Sequence, residues 1–569
     1  MSPISSQEKP FAVGKNTTIR AVGVVGAGTM GGGIAQKIAM AGARVVLVDV
    51  GAPYLEKARR AIECLLEEGR KRRVLRPDDA RATLERMTFT TELAGLEGAD
   101  LVIEAIYEDE KAKQELFSRL DSIVGPGTIF ASNTSSLSVN ALAERTSRPD
   151  RFLGMHFFYH PVKNRLVEII PAASTAAQIF EKVWAFALSM GKIPIRVKDR
   201  PGFAVNRFFV PWLNEAARIL EEDAADSATV DEAARRCFGA SMGPFALMNA
   251  TGVPIAFHAA AELGRRLGGF YEPSAKLKAQ VETKTAWLLE GRADTGRLEV
   301  VGRRLWAAVL YPTLCLDEEG AAGREDIDRG ARVGLRWARG PFEYMNESMA
   351  ESEAGVRELV SRYGIKVPEG LVKRAATGRQ WELNYVNIER SGDAARIILN
   401  RPETLNALNR DLLEQLLRAL DQAQKDPGVK FMLLEARGTT FVAGADVKFF
   451  VQSMERGDLD AIVRFTEFGH EVLRRIETSP KPVAAVVEGA ALGGGAELAL
   501  ACRWRLATEK ALFQFPETGL GIYPGLGGTQ RLPRLIGGEL AKHFILAGVP
   551  ISATQGVPLG LAWISTARS

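Results

Sequence analysis

His156, Glu168, Glu497 and Glu517 can all move protons, and each pair belongs with a glycine-rich turn. The first turn, Gly26-Ala27-Gly28-Thr29-Met30-Gly31, follows the apolar run 21–25 and precedes a helical pattern from Ile34. Such a turn lets backbone approach a pyrophosphate, which the free N–H groups of the helix start then stabilise. Gly26, Gly28, Thr29, Met30 and Gly31 are therefore the candidate cofactor contacts. Asp49 ends the next apolar run, where a carboxylate can accept ribose hydroxyls and repel a 2′-phosphate. The pattern favours NAD over NADP. The second turn, Ala491-Leu492-Gly493-Gly494-Gly495-Ala496-Glu497, is followed by Glu517. The two sets suit consecutive steps, addition of water and removal of a hydride.

Removing a hydride from a secondary alcohol requires a base for the hydroxyl proton, and histidine suits this near neutral pH. His156 ends an apolar run, and Glu168 lies twelve positions on, where a carboxylate could fix the ring tautomer. Composition alone favours reading His156 as a satisfied core histidine, and spacing cannot overturn that. Hydrating a double bond conjugated to a thioester needs N–H groups for the developing oxyanion and two groups to move protons. The triple glycine supplies an N–H, and Glu497 and Glu517 are the candidate acid and base. A packing turn with two solvated glutamates is the alternative at this stage.

These residues need rigid elements beneath them. The 569 residues predict about three or four domains. Apolar residues at 46% and charged residues at 25% are ordinary for globular chains. A net charge of +4 with no dense basic stripe argues against nucleic-acid or membrane partners. The four cysteines lack metal spacing, so no metal or disulfide is expected. No apolar stretch is long enough for a signal peptide or a membrane span, which places the chain in the cytoplasm.

Residues 1–18 are polar and are read as a flexible N-terminus. Strands at 21–25, 44–49, 101–106, 128–132 and 152–156 alternate with helical stretches, predicting a doubly wound parallel α/β sheet over 19–200. Helical patterns then dominate. Met242-Gly243-Pro244-Phe245 recurs as Arg339-Gly340-Pro341-Phe342 about 97 residues later, suggesting two related all-α subdomains, 201–298 and 299–370. Residues 371–383 read as a linker. A second α/β domain spans 384–569, with strands at 386–389, 395–399 and 429–435.

Several motifs resemble known families. Ser132-Asn133-Thr134-Ser135-Ser136, Gly154-Met155-His156-Phe157-Phe158, Leu166-Val167-Glu168 and Pro201-Gly202-Phe203-Ala204-Val205-Asn206-Arg207 resemble the 3-hydroxyacyl-CoA dehydrogenase family over about 19–350. The resemblance implies a Rossmann-type domain with NAD, His156 as general base and Glu168 as its orienting partner. It also implies Ser135 and Asn206 on the substrate oxygen, with Ser135, Glu108 and Lys113 near the nicotinamide. The helical repeats would build the acyl-CoA cleft and subunit contacts. One departure is Tyr159-His160-Pro161, where the family has Asn-Pro, so altered nicotinamide contacts are expected.

Asn400-Arg401-Pro402-Glu403-Thr404-Leu405-Asn406, Thr440-Phe441-Val442-Ala443-Gly444-Ala445-Asp446, Gly489 to Glu497 and Phe515-Pro516-Glu517 resemble the enoyl-CoA hydratase (crotonase) family. This implies an oxyanion hole at the N–H groups of Ala445 and Gly494, with Glu497 and Glu517 as acid and base. The chain ends well short of the family's usual end, so an incomplete crotonase-like domain is expected, with Trp563 and Ile564 exposed. The combined expectation is a fatty-acid β-oxidation enzyme acting on acyl-CoA thioesters. It would oxidise (3S)-3-hydroxyacyl-CoA and hydrate trans-2-enoyl-CoA, as a homo-oligomer with a thiolase as candidate partner. An inert crotonase-like domain used for assembly and a non-enzymatic CoA-ester or nucleotide sensor are the alternatives.

Overall fold

The computed structural model describes residues 19–564. The flexible segment expected at 1–18 lies outside the described residues. The chain forms two compact units that divide at Asn384.

The first unit opens with β1 (Ala21–Val25), β2 (Arg44–Val48), β3 (Met87–Thr90), β4 (Leu101–Glu104), β5 (Ile129–Ser132), β6 (Phe152–Phe157), β7 (Leu166–Pro171) and β8 (Ile193–Arg196). They form one sheet in the order β3-β2-β1-β4-β5-β6-β7-β8. The strands are short, apolar runs because both faces are covered. Val24, Ile103, Ala131 and Leu153 pack into one buried cluster, and Val25, Val102, Phe130 and Phe152 into another. β3, β7 and β8 were not among the expected strands. The expected parallel pairing holds throughout this sheet except between β6 and β7, which run antiparallel. The eight residues between them are too few for the helical crossover that a parallel strand requires.

Helices follow to residue 377, beginning with the long helix Val205–Glu221 and including its counterpart Leu298–Glu318. The recurring Gly-Pro-Phe has a structural cause. Asp231 accepts N–H bonds from Phe245 and Ala246, and Asp328 accepts them from Phe342 and Glu343. The glycines are needed because a Cβ on Gly243 or Gly340 would overlap the aspartate. Asn249 exchanges two bonds with Trp287, as Asn346 does with Trp381. Arg207 bonds Glu319, and at the same offset Arg304 bonds Glu222, so each long helix clasps the end of the other.

The segment 371–383 is not a loose linker. Leu371 and Trp381 are buried in the helical core, and the helix Glu369–Thr377 crosses the expected boundary. The second repeat needs Trp381 to match Trp287, so its fold runs past residue 370.

In the second unit, β9 (Val386–Ser391), β10 (Ala394–Leu399), β11 (Phe431–Ala436), β12 (Thr440–Val442), β13 (Val483–Val487), β14 (Ala490–Leu492), β15 (Trp504–Ala507), β16 (Leu512–Gln514), β17 (Ile551–Ser552) and β18 (Trp563–Ile564) form two sheets. Their orders are β18-β15-β13-β11-β10-β9 and β12-β14-β16-β17. Only β9 and β17 run antiparallel to their neighbours. The last strand, β18, pairs with β15 and leaves Trp563 exposed.

Candidate active sites

At the first turn, Gly26 has φ 106°, and a Cβ there would overlap the Ala105 carbonyl. A Cβ on Gly31 would overlap the Gly26 carbonyl, so the helix Thr29–Met40 packs directly on the turn. No side chain caps that helix, and the space beside Gly28 is open. Free N–H groups beside an open surface fit a pyrophosphate. Asp49 Oδ2 accepts the Ala27 N–H at 2.7 Å, so the acid braces the turn with one oxygen.

His156 and Glu168 are directly opposed across β6 and β7. Their Nδ1 and Oε2 atoms lie 2.6 Å apart. Glu168 is fully buried, and its Oε1 accepts N–H bonds from Ala204 and Val205 at 3.1 and 3.0 Å. These belong to the start of helix Val205–Glu221, whose dipole favours negative charge there. A buried carboxylate without such donors would be costly. With Nδ1 committed to Glu168, Nε2 is left to accept a proton. Phe158 and Phe203 flank the ring at 4.6 and 5.8 Å between centroids. Asn206 lies in the first turn of the same helix, so it shares the strand-to-helix corner that anchors Glu168.

Ser135 sits in the turn after β5, where Glu108 Oε1 gathers Thr134 Oγ1 at 2.6 Å and the N–H groups of Ser135 and Ser136 at 2.9 and 3.1 Å. Lys113, which the family likeness groups with Glu108, is buried at 2.5 Å from Glu104 and 3.2 Å from Glu108. Its charge pulls the Glu108 carboxyl down against the upward push of burial. Glu104, missed in the sequence, also takes Ser132 Oγ at 2.5 Å, and burial pushes its carboxyl up. Asn133 was missed too; its Oδ1 accepts the Phe157 N–H and ties the turn to the histidine strand. A polar residue ending each of two adjacent apolar strands was the available signal.

In the second unit, a Cβ on Gly495 would overlap the Val442 carbonyl, which brings the two glycine segments together. Ala445 N lies within 3.6 Å of the position a Gly494 Cβ would take. Neither N–H is used by a backbone acceptor among the described residues. Glu497 stands in the first turn of helix Gly494–Ala501, and its Oε1 accepts the N–H groups of Leu526 and Gly528 at 2.7 Å each. Burial, with Glu517 nearby, pushes the Glu497 carboxyl up to about 7. Glu517 lies on a short 3-10 turn, its Oε2 is buried without a partner, and burial raises its carboxyl as well. The chain thus places two buried acids beside two free N–H groups, an arrangement able to polarise a thioester oxygen and shuttle protons.

Known proteins carry the same parts. Residues 21–200 match the 3-hydroxyacyl-CoA dehydrogenase NAD-binding domain, 202–290 its C-terminal domain, and 394–568 enoyl-CoA hydratase/isomerase. Human mitochondrial hydroxyacyl-coenzyme A dehydrogenase is 40% identical over 259 residues, 44% of this chain and 82% of that one. The fatty acid oxidation complex subunit alpha of Vibrio vulnificus (strain CMCP6) is 32% identical over 413 residues, covering 66% of this chain and 57% of that subunit. In structure, 3-hydroxybutyryl-CoA dehydrogenase from Escherichia coli K12 matches with a TM-score of 0.58 at 25% identity, over 63% of this chain and 99% of that one. The chain therefore belongs to the 3-hydroxyacyl-CoA dehydrogenase family and carries, after its dehydrogenase part, a domain of the enoyl-CoA hydratase/isomerase family.

Proposed function

We propose that the chain is a fatty-acid β-oxidation enzyme that oxidises (3S)-3-hydroxyacyl-CoA to 3-oxoacyl-CoA and hydrates trans-2-enoyl-CoA to supply that substrate. The His156–Glu168 pair, held on the start of a helix, is the observation that carries the reading. His156 Nε2 takes the proton of the 3-hydroxyl. Glu168 stabilises the resulting imidazolium and prevents the ring from turning. Ser135 and Asn206 hold the substrate oxygen as its carbonyl forms. The Gly26–Gly31 turn and Asp49 would hold NAD, which when bound would accept the hydride that leaves the same carbon. Glu108 orders the Ser135 turn, and Lys113 holds Glu108.

At the second site, the N–H groups of Ala445 and Gly494 take the thioester oxygen of the enoyl substrate. Glu497 and Glu517 together remove a proton from water and return one to the α-carbon, so no proton is gained or lost overall. The stereochemistry follows from the family likeness. Domain boundaries at 200, 298 and 383, a homo-oligomeric assembly, a thiolase partner and a cytoplasmic location belong to the same reading. Among the described residues, no helix is long and apolar enough to cross a membrane. An assembly role for the second unit is the alternative, favoured by the exposure of Leu520, Ile522 and Tyr523 just beyond Glu517.

NADH formation from 3-hydroxybutyryl-CoA and hydration of crotonyl-CoA by the same purified chain test both halves. A dehydrogenase rate unchanged by His156→Ala removes the base assignment. Absence of crotonyl-CoA turnover selects the assembly role.

A further inference from the structure

Lys192 is buried, lies just before β8, and has no carboxylate partner among the described residues. Its Nζ donates to the carbonyl oxygens of Pro161 and Asn164 at 2.5 and 2.6 Å and lies 5.2 Å from the centre of the Phe157 ring. Burial, then the neighbouring Lys37, pulls this amine down to about 7. A lysine that merely filled space here would be inferior to a methionine, because its desolvation has no ion pair to offset it. What it gains is a grip on the loop that joins β6 to β7.

That loop departs from the family pattern at Tyr159-His160 and joins the strands of the proton-handling pair. The Pro161 ring lies 3.1–3.3 Å from where a Cβ on Gly33 would be, on the helix that starts at the nucleotide turn. Asn164 Nδ2 donates to the carbonyls of Tyr159 and Gly334, closing the loop on itself and on the helical region. Tyr159 is left exposed at the loop's rim.

We propose that Lys192 is a positioning residue for the cofactor end of the dehydrogenase site, clamping the 159–164 loop against Gly33 on the helix that starts at the nucleotide turn. This rests on the dehydrogenase reading above. Lys192 touches neither substrate nor cofactor and acts through the two carbonyls.

Lys192→Met keeps length and apolar bulk but removes the donors. Its Kd for NADH, measured by NADH fluorescence, is expected to rise about tenfold, while KM for acetoacetyl-CoA stays within about twofold. Pro161→Ala leaves both carbonyl acceptors and removes only the contact with Gly33, so a smaller rise in the same direction is expected. An unchanged NADH Kd in Lys192→Met overturns the proposal, as does an equal rise in both constants. If Lys192→Met does not fold in a thermal melt, Pro161→Ala decides, and an unchanged Kd in that variant overturns it. His156→Ala, run in parallel, should lose turnover yet bind NADH normally. A wild-type chain that binds NADH but does not oxidise it sinks the dehydrogenase reading alone. One that does not bind NADH sinks both.

Discussion

Glu168 and Glu497 start from the same position and do different chemistry. Each is buried, and each accepts two backbone N–H groups from a distant segment with one oxygen. Glu168 meets an imidazole with its other oxygen. Glu497 instead has a second carboxyl nearby, which together with burial keeps a proton on it up to about pH 7. The N–H bonds make burial tolerable in both cases. The remaining neighbour decides whether the acid stabilises a cation or stores a proton.

The sharpest break of this comparison is His156→Ala. Dehydrogenase kcat/KM should fall on the order of 10² to 10⁴-fold, with crotonyl-CoA hydration unchanged. Loss of both activities would mean that the units do not act independently. The converse is Glu517→Gln, where hydratase kcat should fall about 10² to 10³-fold and NADH formation should persist.

Glu168→Gln sharpens the contrast. The amide keeps one hydrogen bond to His156 but cannot balance an imidazolium, so kcat should fall about 10²-fold while acyl-CoA KM moves little. A drop confined to KM would show that Glu168 serves binding only.

The stability of the second unit offers a pH test. Because the Glu497 carboxyl is raised in the folded state, its contribution is fully present below about pH 4.5 and is lost as pH rises through about 7. Denaturant melts of that unit should show a decline on the order of 3 kcal/mol at most over this window. Glu497→Gln should flatten it; a slope that survives belongs to other groups.

The smallest effect is expected at Asp49. Asp49→Asn should narrow the preference for NAD over NADP by roughly tenfold, about 1.4 kcal/mol. It should also loosen the turn, since Oδ2 holds the Ala27 N–H. Equal wild-type rates with both cofactors would remove the ribose role.

The glycine turns were legible because a close backbone approach demands glycine whatever the partner. Gly31 faces the Gly26 carbonyl within its own turn, whereas Gly26 and Gly495 face the carbonyls of Ala105 and Val442, distant in the chain. The alternation of apolar runs with helical stretches accounts for five strands of the first sheet, and β3, β7 and β8 emerged only in the fold. Spacing could not settle His156. Twelve residues to Glu168 mean nothing until β6 and β7 pair antiparallel and place the two opposite one another. The family likeness, not periodicity, named that pair; that the Lys113 ammonium lies between Glu104 and Glu108 was visible only in the fold.

The sequence by itself determined where backbone must bend closely and which side chains are able to move protons, because residue type and immediate neighbours fix both. Only the tertiary structure decided what each buried group meets. Glu104 holds Ser132, Lys192 grips Pro161 and Asn164, and Glu517 keeps an unpartnered oxygen. Those encounters join segments distant in the chain, and the charge state of a buried group depends on its surroundings rather than on its place in sequence.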